Sequence, residues 1–198
     1  METSTDWSNW STYTIWNTIT LSNVGDKVYW RNTSETDTWF STSGSNYYKF
    51  VMTWSIAWSW DINYLLNKNS TDTVGQYCYI ILFQDCTSLT TAPSIKAVNL
   101  DAYCYFWLFN WCTNLSTLPA LPATTIYTYS YYYMFQWCSK IKLSTTQTWE
   151  YQTAYRIPTT WTWVIWASAL SDMFNATWWT FTWTPTINTT YYTSNTVI

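Results

Sequence analysis

Three stretches decide the reading of this chain: "YCYIILFQDCTSL" at residues 77–89, "YCYFWLFNWCTNL" at 103–115 and "YSYYYMFQWCSKI" at 129–141. They align without a gap at a step of 26 residues. Tyr77, Tyr103 and Tyr129 form one column, and Tyr79, Tyr105 and Tyr131 a second. Leu82, Leu108 and Met134 precede Phe83, Phe109 and Phe135, and Cys86, Cys112 and Cys138 fall together. Leu89, Leu115 and Ile141 follow, and between the blocks Pro93 matches Pro119 and Leu100 matches Ile126. A repeat of this length holds one short strand, one turn and one short helical segment. It cannot bury an apolar face alone, so successive units must stack.

The strand is expected around Leu89, Leu115 and Ile141. The segment "LDAYCYFWLF" places Leu100, Tyr103 or Cys104, and Leu108 at roughly helical spacing. The fold expected is therefore an α/β repeat, a leucine-rich-repeat solenoid of 26-residue units. Residues 1–70 read as a β-rich leader or N-terminal cap, 71–180 as the solenoid and 181–198 as a C-terminal tail or cap. Within the solenoid, 77–141 are clear repeats. Met173 and Phe174 mark a degenerate unit near 165–180, with Thr177 at the cysteine position.

Composition excludes several classes of function. Only 10% of residues are charged and the net charge is −3, so there is no basic footprint for nucleic acid. Apolar runs are short, so no membrane insertion is expected. "METSTDWSNWSTYT" has neither a basic nor an apolar segment, so no signal peptide is visible. The absence of histidine removes the usual general base and the commonest metal ligand. The eleven acidic residues show no spacing that suggests a carboxylate hydrolase. The reading is not an enzyme, with no cofactor and no metal.

The motifs "LFQDCTSLTTAPSI", "LFNWCTNLSTLPALPATT" and "MFQWCSKI" resemble the BspA-like (Treponema-type) leucine-rich repeats of bacterial surface proteins. The resemblance implies a cell-surface or extracellular location. It also implies a non-catalytic binding or adhesion module, bacterial or phage-associated, that engages a protein or glycan ligand on another cell or matrix. Alternation from Leu89, Leu115 and Ile141 turns Thr90, Ser116 and Lys142 outward, and these are the candidate binding residues. The alternative function is an aromatic-faced carbohydrate-binding module using Trp111 and Trp137.

Five cysteines leave two readings open. One is disulfides pairing Cys78 with Cys86 and Cys104 with Cys112. The other is a buried thiol ladder, favoured because Ser130 replaces cysteine in a sister copy.

The tryptophans raise a separate question. Where the family pattern has a small residue, commonly glycine, before the turn cysteine, this chain has Asp85, Trp111 and Trp137. Aspartate tolerates the left-handed backbone region and glycine enters it freely, whereas tryptophan does so under strain. The chain holds 18 Trp and 3 Gly, and many of these Trp stand in Thr-rich turns. The expectation is that many are glycines whose UGA codons were read as Trp, because some bacterial lineages assign that codon to one residue and some to the other.

Overall fold

The computed structural model describes residues 1–14, 17–35, 37, 40–67, 69, 72–175 and 183–198. Its regular elements are almost entirely short strands. In order they are β1 (Glu2–Ser4), β2 (Ser11–Thr12), β3 (Tyr29–Arg31), β4 (Ile56–Ala57) and β5 (Thr73–Val74). Then come β6 (Leu89–Thr91), β7 (Asn99–Leu100), β8 (Thr117–Leu118), β9 (Thr125–Ile126) and β10 (Leu143–Ser144). The last are β11 (Thr153–Ile157), β12 (Val164–Ile165), β13 (Thr189–Thr193) and β14 (Thr196–Val197). A single 3₁₀ turn at Ile62–Leu65 is the one helical element among the described residues.

The α/β leucine-rich-repeat solenoid expected from the sequence is therefore not the fold. The strands form five small, separate sheets, and the segment read as helical forms no helix. The backbone explains why. The N–H groups of Cys78, Ile80, Leu82, Gln84 and Cys86 close tight turns by donating to the carbonyl three residues back, at 2.9–3.3 Å. Those of Tyr77, Tyr79, Ile81, Phe83 and Asp85 instead donate to Ala102, Cys104, Phe106, Leu108 and Asn110 of the next unit, at 2.8–3.1 Å. A helix would keep all of these bonds within one segment. Here every fourth residue turns left-handed: Tyr77, Ile81 and Asp85, then Tyr103, Trp107 and Trp111, then Tyr129, Tyr133 and Trp137. The segment is rich in aromatic residues, which are indifferent helix formers.

Alternate N–H groups reaching the next unit bring like side chains into register. Tyr79, Tyr105 and Tyr131 stack at 5.7 and 5.8 Å with rings 6° apart. Phe83, Phe109, Phe135 and Phe174 stack at 5.6, 5.5 and 5.3 Å. All of these rings are buried, and together with Leu82, Leu108 and Met134 they make the centre of the core. Phe174 thus occupies the place below Phe135, whereas Thr177 lies outside the described residues.

Parallel pairing links the units on a second side. β5, β7, β9 and β12 form a four-stranded sheet with Thr73, Asn99, Thr125 and Val164 in register. Residues well before 71 join the stack as well. Ser41 and Phe50 donate to Cys78 and Leu82, β4 pairs in parallel with β6, and Phe50 stacks on Phe83 at 5.4 Å. The N-terminal sheet has the order β2-β1-β3 and carries the Arg31–Glu2 ion pair at 2.7 Å.

At the far end the C-terminal segment folds back. β13 pairs antiparallel with β10 and β11, and β14 pairs in parallel with β8.

Candidate functional site

Thr90 lies in β6, Ser116 immediately precedes β8 and Lys142 immediately precedes β10. The structure brings the first two together, but as parts of a backbone ladder. Thr90 Oγ1 donates to the Ile56 carbonyl at 3.1 Å, and Ser116 donates to the Thr90 carbonyl through both its N–H, at 3.0 Å, and its hydroxyl, at 3.1 Å. Lys142 is separated from Ser116 by Asn195. The Asn195 amide donates to the Ser116 carbonyl at 3.0 Å and accepts from the Lys142 N–H at 2.8 Å. Thr193 Oγ1 closes the arrangement on the Lys142 carbonyl at 2.6 Å. The two hydroxyls therefore point along the stack; Ser116 and Lys142 are exposed and Thr90 is half-buried.

Trp111 and Trp137 also come together, with ring centroids 5.0 Å apart and planes 19° apart. Each covers one face of the other. Their turn positions have φ of 61° and 62°, matching Asp85 at 60°. Lys49 caps this column through an ion pair with Asp85 at 2.7 Å.

All five cysteines are free and buried. Cys86, Cys112 and Cys138 each donate a thiol hydrogen to the carbonyl of the preceding layer, those of Phe50, Phe83 and Phe109, at 3.2, 3.0 and 3.0 Å. Loss of hydration pushes the Cys86 thiol up to about 12 and raises the other four as well. Neutral, hydrogen-bonded thiols are poor nucleophiles and poor metal ligands. Among the described residues no group of three potential ligands comes together around a metal site, and no helix is long and apolar enough to cross a membrane.

A feature that the sequence reading missed lies on the other sheet. Val74, Leu100 and Ile126 of β5, β7 and β9 point into the core, so their neighbours Thr73, Asn99 and Thr125 face outward in one row. Gly75, Asp101 and Tyr127 make the next row. Together they line a shallow groove of about 750 Å³. The signal was available in the repeat itself, because the apolar columns there are flanked by small polar residues. Chemically the described lining offers hydroxyl, amide, carboxylate and phenol groups and no cation, so it suits a neutral or basic polar ligand in an extended form and disfavours phosphate.

Comparison with protein-family models, with curated proteins and with solved structures finds no match.

Proposed function

We propose that this chain is a non-catalytic protein-binding module of adhesive type, from a bacterial or phage-associated surface protein. Its ligand is an extended polar segment of a protein on another cell or matrix, seated on the outward rows of β5, β7 and β9. The observation that carries this reading is the in-register row of Thr73, Asn99 and Thr125 above the buried Val74, Leu100 and Ile126. A rigid ladder presents side chains at a fixed repeat, and such a face binds by complementarity to another chain without catalysis. The motif resemblance to bacterial surface repeats supports the same class of function.

The carbohydrate alternative draws no comparable support. A sugar ring stacks on an open aromatic face, and Trp111 and Trp137 each have one face taken up by the other.

The test is binding of the purified chain to a panel of extracellular-matrix proteins and, in parallel, to a glycan array. Binding to matrix protein that disappears in the double variant Asn99→Arg, Thr125→Arg is the expected result. Both positions lie on the outward side of the sheet, so the fold tolerates the change. Binding unaffected by that variant refutes the groove, and binding to glycans alone refutes the protein ligand.

A further inference from the structure

Fourteen non-glycine residues among those described adopt a positive φ, against one glycine, Gly25. Five of the fourteen are tryptophan: Trp7, Trp60, Trp107, Trp111 and Trp137. This backbone region is adopted freely by glycine and reluctantly by a residue with a bulky Cβ substituent. Exposure tells the same story. Of the tryptophans described, none is buried, and Trp7, Trp60, Trp111 and Trp137 are 52%, 61%, 45% and 42% exposed. Tryptophan is ordinarily among the more buried residues on average. Four large rings thus occupy left-handed positions that glycine adopts more readily, and the core does not use them.

Two other tryptophans behave differently. Trp58 packs edge-on against Phe50 at 5.3 Å and Phe83 at 5.1 Å, and its N–H donates to Thr91. Trp30 packs against Phe50 at 5.3 Å and Tyr13 at 4.7 Å. Both seal the edge of the core. Trp107 stands apart from both groups, because its left-handed column also holds Ile81 and Tyr133, and bulk alone does not mark it.

We infer that positions 7, 60, 111 and 137 are glycine in the protein as its source cells make it, whereas Trp30 and Trp58 are true tryptophans. The Asp85 column decides the case. Its turn is closed by Thr87 N–H on the Asp85 carbonyl at 2.7 Å and by Thr113 N–H on the Trp111 carbonyl at 2.9 Å. Those bonds are made by the backbone and need no side chain. Aspartate in the first copy and glycine in the next two satisfy one conformation without strain. A UGA codon assigned to glycine in the source and read here as tryptophan produces this exchange, and true tryptophans carry UGG.

Tryptic peptide mass spectrometry of the protein from its source cells tests the assignment. The peptide of residues 97–140 holds Trp107, Trp111 and Trp137, the peptide 50–68 holds Trp58 and Trp60, and the peptide 28–31 holds Trp30. The expected spectrum loses an indolylmethyl group for a hydrogen at 60, 111 and 137, located by fragment ions, and leaves 58 and 30 as written. Intact tryptophan at 111 and 137 overturns the inference, as does glycine at 30 or 58. The gene gives an independent reading: UGA is expected at codons 7, 60, 111 and 137, and UGG at 111 and 137 overturns it.

Discussion

Raising the pH above 9 will unfold this protein through its own thiols. All five cysteines are buried and hold their protons above the ordinary value of 9.0, because burial removes the water that would stabilise a thiolate. In the unfolded chain the same thiols ionise near 9. Above that pH the unfolded state binds fewer protons than the folded one, so stability is intact below 9 and falls as the pH rises. One thiol withdraws about 1.4 kcal/mol by one unit above its unfolded value. Five together withdraw about 7 kcal/mol by about pH 10, against a total of roughly 5–15 kcal/mol for a domain. Buried Tyr79, Tyr105, Tyr131 and Tyr155, also raised by burial, add to the slope from about pH 10. Cooperative unfolding is expected between about pH 9.5 and 11. Circular dichroism followed against pH, with thiol reactivity toward an aromatic disulfide measured on the same samples, reads both events. The five thiols should react together, and only as the structure is lost. A native signal that persists past about pH 12, or thiols that react one by one in the folded state, refutes the argument. Cys112→Val supplies a second reading that does not depend on the starting stability. It should cut the thiol part of the slope of unfolding free energy against pH by about a fifth.

Phe109→Ala removes the ring held between Phe83 and Phe135 at 5.6 and 5.5 Å, and should cost about 3–5 kcal/mol by urea titration. A loss near zero would mean that the phenylalanine column is not continuous. Asn195→Ala deletes the side chain that joins the Ser116, Lys140 and Lys142 backbones, and should cost about 2–3 kcal/mol. Hydrogen exchange should speed up at the Lys142 amide and remain slow at Phe109, whose N–H is bonded to Met134.

Much of the packing was legible in the repeat. Columns that align in sequence also align in space, and the cysteine column forms the buried ladder favoured over disulfides. The helix was misread because its signal and the true one coincide. A helix returns side chains to one face about every fourth residue, and so does a chain that turns left-handed at Tyr103, Trp107 and Trp111. Periodicity cannot separate the two, because the difference lies in where alternate N–H groups go. The layer containing Phe50 was hidden for another reason: it joins through backbone bonds from Ser41 and Phe50, which constrain side-chain identity little. At the nominated column, alternation placed Leu89, Leu115 and Ile141 inward correctly. That Thr90 and Ser116 would turn their hydroxyls onto carbonyls, and that Asn195 would enter before Lys142, depends on contacts the repeat does not encode.

The proposed function and the inferred glycines are independent, and that independence is itself informative. The groove over β5, β7 and β9 is lined by threonine, asparagine, aspartate and tyrosine; positions 7, 60, 111 and 137 are not among its described lining, and Trp166 stacks on its Tyr127 at 5.2 Å. Replacing the indolylmethyl groups at 7, 60, 111 and 137 with hydrogen leaves the groove unchanged and strips exposed apolar rings from turns elsewhere. The carbohydrate reading loses its two nominated residues by the same exchange. What remains is a polar, weakly charged surface on a rigid ladder of buried rings and thiols. Under the proposed function that surface would offer its ligand rows of polar groups at the spacing of neighbouring strands, about 4.8 Å.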